Sequence, residues 1–126
     1  MQQDAPVGII GLGLMGTALS ERLIGAGVAV VGFDIDPVKC GKLRDNSGIV
    51  IAVYDGAEVE ALLGDIAKGP ARPALICTTT CAPGEIERIA ARAANAGFTF
   101  IEAPISGTSA EVRDGTATAL DRKSVV

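Results

Sequence analysis

Three glycines spaced G-x-G-x-x-G, Gly11, Gly13 and Gly16, directly follow the apolar run Val7–Ile10 and precede a segment of helical character from Thr17 to Ala26. The spacing alone is weak evidence in a chain with 16 glycines. The order of strand, glycine turn and helix is what gives it weight. Gly11 fits a tight turn at the end of the strand, Gly13 lets a pyrophosphate approach the backbone, and Gly16 lets the helix lie close against the strand. A helix that starts there offers free N–H groups and the positive end of its dipole to phosphate.

Composition narrows the surroundings of this turn. In 126 residues, 48% are hydrophobic, 21% charged and only 3% aromatic, which suits one compact α/β domain with an aliphatic core. A net charge of −4 with no basic run argues against a nucleic-acid partner. The apolar runs are short and interrupted, so no membrane span is expected. The amino-terminal residues lack the positive region of a signal peptide, and Cys40, Cys77 and Cys81 form no paired C-x-x-C. A cytoplasmic protein with reduced thiols is the expectation. With no histidine in the chain, no metal site is expected.

Along the chain, Leu19 and Leu23 share one helical face with Ala18 and Ala26 nearby, and Gly27 fits the helix end. Val28–Phe33 is continuously apolar, the pattern of a buried parallel strand. It delivers Asp34, 18 residues after Gly16. A carboxylate there accepts both ribose hydroxyls of an adenosine and repels a 2′-phosphate, so NAD is expected in preference to NADP. Asp36 reads as the cap of a short helix, Pro37–Arg44. A strand at Ile49–Val53 and a helix from Ala57 to Lys68 follow, the helix with an apolar face of Val59, Leu62, Leu63 and Ile66. Residues 69–73 form a turn, Ala74–Cys77 a strand running into Thr78-Thr79-Thr80, and Pro83 opens a helix carrying Ile86, Ile89, Ala90 and Ala93. Phe98–Ile101 is a last strand, and residues 102–108 leave it as a loop. Five strands alternating with four helices predict a Rossmann-like, doubly wound parallel sheet with ligands at the carboxyl ends of its strands.

Several segments together resemble the β-hydroxyacid dehydrogenase family, which includes 3-hydroxyisobutyrate dehydrogenase and tartronate semialdehyde reductase. Gly11-Leu12-Gly13-Leu14-Met15-Gly16 is similar to the family's G-L-G-x-M-G opening, and Phe33-Asp34-Ile35-Asp36-Pro37 to the end of its second strand. Thr79-Thr80 with Pro83 resembles S-T-x-x-P, Ala103-Pro104-Ile105-Ser106-Gly107 its A-P-V-S-G loop, and Gly115-Thr116 a later G-T. The resemblance runs to about Leu120 and leaves residues 121–126 unmatched. It implies an NAD(P)-dependent oxidoreductase that passes hydride between nicotinamide and a small 3-hydroxy acid or its semialdehyde. Gly11 to Gly16 would hold the cofactor, with Leu14 and Met15 along the pyrophosphate. Asp34 would hold the ribose, Val53 and Tyr54 would lie beside the cofactor, and Thr80 near its nicotinamide half. Ser106, Gly107 and Thr108 would meet the substrate carboxylate.

Three departures from the family pattern carry consequences. The stretch from Pro37 to Ile49 is short, and Val50–Asp55 resembles the family's fourth strand and its loop, so a strand and helix are expected to be missing. Thr108 replaces the second glycine of S-G-G, where a side chain would crowd the carboxylate. The family's catalytic lysine lies in a helical carboxyl-terminal domain, and none of Lys39, Lys42, Lys68 and Lys123 sits in a matching segment. The expectation is therefore a cofactor-binding part with little or no activity, and possible homo-oligomerisation through an uncovered apolar face. The alternatives are a non-catalytic module that senses NAD(H) and, less favoured by Met15 and the 103–107 segment, an S-adenosylmethionine-dependent methyltransferase.

Overall fold

A computed structural model describes residues 6–33, 48–119 and 124–125. The glycine turn joins β1 (Val7–Ile10) to α1 (Leu14–Gly25), and β2 (Val30–Phe33) follows. Next come β3 (Gly48–Ile51), α2 (Gly56–Ala67), β4 (Ala74–Cys77), α3 (Pro83–Asn95) and β5 (Phe100–Glu102). The remainder forms β6 (Ile105–Ser106), α4 (Ser109–Asp114), β7 (Thr118–Ala119) and β8 (Ser124–Val125). The expected short helix at Pro37–Arg44, together with Asp34 and Asp36, lies outside the described residues.

The main sheet has the order β2-β1-β3-β4-β5-β8. Its first five strands are parallel, and β8 pairs antiparallel with β5. The strand that follows β2 in the chain therefore sits on the far side of β1, in the position that the fourth strand holds in the 3-2-1-4-5-6 order of doubly wound sheets. This placement agrees with the likeness of Val50–Asp55 to a fourth strand. It also corrects the expectation of a buried strand at Val28–Phe33. Among the described residues β2 pairs only with β1, and of its four residues only Phe33 is buried.

The pleat sorts the core between two faces. Ile10, Ile51 and Cys77 share one register line, and Ile49, Leu75 and Phe100 another, on the same face. That face packs against Val59, Leu62, Leu63 and Ile66 of α2 and Ile86, Ile89 and Ala93 of α3, as the helical spacing predicts. The opposite face carries Ile9, Val50, Ile76 and Ile101 in register. Here α1 lies against β1 and β2, and α4 packs on α1, tied by an Arg113–Glu21 ion pair. The expected Leu19–Leu23 stripe is only half-buried; the residues α1 buries are Gly16 and Ala18. Small side chains at these two positions let the helix lie close to the sheet.

The end of the molecule remote from the strands' carboxyl ends is held by Arg72, in the segment expected to be a turn. Its guanidinium donates to the carbonyls of Ala96 (2.7 Å) and Gly69 (2.7 Å) near the ends of α3 and α2, and lies over the Phe98 ring at 4.6 Å. A cation there meets the negative ends of two helices. Among the described residues no helix is long and apolar enough to cross a membrane.

Candidate dinucleotide site

All five parallel strands point their carboxyl ends to one rim, and the glycine turn sits on it at the end of β1, next to β3. Gly11 has φ +99°, and a Cβ on it would fall 2.4 Å from the Ala52 carbonyl oxygen. A Cβ on Gly16 would fall 1.7 Å from the carbonyl oxygen of Gly11. These two glycines let the chain double back on itself next to β3, so no other residue fits without moving the backbone. Gly13 differs: a Cβ there would meet nothing within 4 Å. It faces open space at the start of α1, which begins three residues earlier than its sequence pattern predicts. Its N-terminus has neither a side-chain cap nor an acidic residue in its first turn. The first N–H groups of α1 are thus left for a ligand.

Opposite the glycine turn stands the β3–α2 connection. Between them lies a cleft of about 570 Å³. Its first wall is Gly11, Leu12, Gly13, Leu14 and Met15; its second is Ala52, Val53, Tyr54 and Glu58. Leu14 and Tyr54 project outward, 79% and 86% exposed. Gly16 lies beneath the turn, and Thr80, exposed beyond β4, is not among the lining residues.

Two acids and one threonine shape the second wall, and a second threonine ties β4 to β3 below it. Asp55 caps α2 by accepting the Glu58 N–H (3.0 Å), and the Glu58 carboxylate accepts the Tyr54 N–H (3.4 Å). Glu58 went unrecognised in the sequence, although D-x-x-E before an apolar run is the spacing of a capping box. Thr78 donates its hydroxyl to the Ile51 carbonyl (2.8 Å), and Thr79 bonds both the N–H and the carbonyl of Val53. Below them the thiol of Cys77 is fully buried, and burial, with the neighbouring Cys81 second, pushes its pKa up to about 12. Burial also raises the Cys81 thiol. Both cysteines are free, and among the described residues no group of three potential ligands could hold a metal.

The segment expected to meet a substrate is more ordered than a loop. Ser106 lies in β6, which pairs with β7, and α4 follows Gly107 and Thr108. Thr108 and Glu111 form a capping box: the Thr108 hydroxyl oxygen accepts the Glu111 N–H (3.2 Å), and the Glu111 carboxylate accepts the Thr108 N–H (2.9 Å). The Thr108 N–H is therefore already committed. On the α2–α3 side, a second cleft of about 450 Å³ is neutralised from within. Glu60 pairs there with Arg88 (3.0 Å) and Arg92 (2.8 Å), and the Arg88 hydrogen bond is the main cause holding its carboxyl below the usual range.

A parallel α/β sheet with an open glycine turn at an uncapped helix start defines a dinucleotide-binding domain. The comparisons make the assignment specific: residues 6–120 match the family model of the NAD binding domain of 6-phosphogluconate dehydrogenase, and the chain belongs to that family. It is 28% identical to L-threonate dehydrogenase of Haemophilus influenzae, over 94% of this chain and 46% of that protein. It is 33% identical to 3-hydroxyisobutyrate dehydrogenase of Pseudomonas aeruginosa, over 87% of this chain and 43% of that protein. The fold matches Mycobacterium tuberculosis 3-hydroxyisobutyrate dehydrogenase with a TM-score of 0.78 at 24% identity, over 91% of this chain and 45% of that one. The chain thus spans less than half the length of these relatives.

Proposed function

We propose that this chain is the cofactor-binding part of an NAD-dependent dehydrogenase acting on a small 3-hydroxy acid or its semialdehyde. The observation that carries the reading is the Gly13 cleft, where bare main chain and uncapped N–H groups border a space of about 570 Å³. In it the pyrophosphate lies across Gly13, Leu14 and Met15, away from the Glu58 carboxylate, which would repel it. Val53 and Tyr54 flank the cofactor, Asp34 takes the adenosine ribose, and Thr80 stands towards the nicotinamide half. Ser106, Gly107 and the Thr108 hydroxyl receive the substrate carboxylate. When bound, the nicotinamide supplies or accepts the hydride.

Turnover needs a proton donor or acceptor at the substrate oxygen. Lys68 is the only lysine among the described residues. It lies at the end of α2 remote from the cleft, 3.5 Å from Asp65. We therefore expect the chain alone to bind cofactor with little or no hydride transfer.

Calorimetric titration of the 126-residue chain with NADH and NADPH, with thermal unfolding alongside, tests the reading. The expected result is saturable NADH binding, a raised Tm and weaker NADPH binding. A cooperatively folded chain that binds neither cofactor overturns it. Tighter binding of NADPH overturns the role given to Asp34.

A further inference from the structure

The second wall of the cleft depends on Thr79, the first residue of the segment resembling S-T-x-x-P, to which that resemblance gives no role of its own. Thr79 is buried, with 6% of its surface exposed, and its single hydroxyl serves both polar main-chain atoms of Val53. Its oxygen accepts the Val53 N–H at 3.2 Å and its proton goes to the Val53 carbonyl at 3.0 Å. The β3–β4 ladder ends in register at Ile51 and Cys77, and the Thr78 N–H and hydroxyl add two bonds to the Ile51 carbonyl (3.0 and 2.8 Å). Beyond that point the ladder with β4 stops, although the Ala52 N–H still reaches the Ile10 carbonyl of β1 (2.9 Å). Thr79 replaces the missing ladder with a side chain. Val53 in turn abuts the glycine turn: its Cγ1 lies 3.2 Å from where a Cβ of Gly11 would be. Whatever holds Val53 holds the gap between the two walls.

We infer that Thr79 is a positioning residue for the dinucleotide, fixing the Val53 peptide so that the β3–α2 turn keeps its distance from Gly11–Met15. The inference rests on the dinucleotide reading of the cleft. Thr78 supplies the internal control, because it makes an equally buried bond one step below the cleft.

The test compares T79V, T79S and T78V with the unaltered chain by NADH calorimetry, thermal unfolding and amide hydrogen exchange at Val53. T79V is expected to bind NADH about tenfold more weakly, since an unpaired peptide loosens the wall, and to exchange the Val53 amide faster. T79S restores both properties. T78V lowers Tm and leaves the NADH Kd unchanged. Equal NADH affinity in T79V, failure of T79S to restore it, or an equal loss in T78V each overturns the inference. If T79V does not fold, exchange in the unaltered chain decides: the Val53 amide is expected to be protected like those of β3, and an unprotected amide overturns the clamp. Should the unaltered chain bind no NADH while T79V still frees the Val53 amide, the dinucleotide reading falls and Thr79 is left with a structural role alone.

Discussion

Two helix starts share the rim of this molecule and are finished in opposite ways. At α4, Thr108 and Glu111 satisfy each other's main-chain N–H groups, and a Cβ on the preceding Gly107 would lie 3.0 Å from that of Ala117. At α1, the position before the first turn is Gly13, with no side-chain cap and open space where its Cβ would be. A glycine at the cap position costs α1 only a few tenths of a kcal/mol relative to a capping side chain, and it leaves donors unpaired at the point where an anion gains most from them. The contrast separates the part of the rim shaped for a phosphate from the part that has closed on itself. Under the proposed function, a substrate carboxylate at Ser106–Thr108 would meet the two hydroxyl groups and the Gly107 main chain but not the Thr108 N–H.

The largest effects are expected inside the glycine turn, where neighbouring positions should fail differently. Gly16→Val drives a side chain into the Gly11 carbonyl, 1.7 Å from the new Cβ. Overpacking against backbone costs several kcal/mol; loss of cooperative unfolding and of NADH binding together is the expected result, read by circular dichroism and calorimetry. Gly13→Val places its new Cβ in open space. Its helical content and Tm should stay close to those of the unaltered chain, while NADH affinity falls by about 100-fold or more, equivalent to ~2.7 kcal/mol. If Gly13→Val keeps its affinity, the phosphates do not cross this turn and the contrast with α4 loses its meaning.

How much of this could be read from the sequence follows the range of the interactions involved. Gly11 and Gly16 are constrained as their spacing implies, Gly16 locally by the Gly11 carbonyl and Gly11 by its positive φ as well as by Ala52 beyond β3. The apolar faces of α2 and α3 are legible from spacing too. The exposure of β2 is not, because a run such as Val30–Phe33 looks buried until the placement of β3 beyond β1 makes it the outer strand among the described residues. Nor can Thr79 be told from Thr80 in a run of three threonines. Beyond β4 the chain bends, so that Thr78 and Thr79 are both buried while Thr80 is exposed, and only the tertiary fold decides which hydroxyl reaches Val53. The helix α4 announces itself by T-x-x-E and by Gly115, but six residues are too few to show helical periodicity.

A smaller, pH-dependent effect probes the β4 end that links the two parts of the rim. The buried Cys77 thiol is pushed from an ordinary 9.0 up to about 12. Below pH 9 the thiol is protonated in both folded and unfolded chains, and its contribution to stability is fully present. As pH rises from 9 towards 12 the unfolded chain releases a proton that the folded one keeps, so stability falls. The Tm should decline over that window, and Cys77→Ala should flatten the decline even though its smaller side chain lowers Tm at neutral pH. An unchanged alkaline slope would place the sensitivity elsewhere.

The smallest expected change tests the closed helix start itself. Thr108→Ala removes the acceptor for the Glu111 N–H and should cost about 1 kcal/mol, whereas Thr108→Gly, the residue that the resembling family carries there, should cost only a few tenths. Urea unfolding resolves the two. Neither variant touches the Gly13 cleft, so both should bind NADH as the unaltered chain does. A loss of NADH affinity in Thr108→Ala comparable to that expected for Thr79→Val would mean that α4, through its packing on α1, sets the glycine turn. The two helix starts would then be one coupled device, and the Thr108 side chain would matter for cofactor before it mattered for substrate.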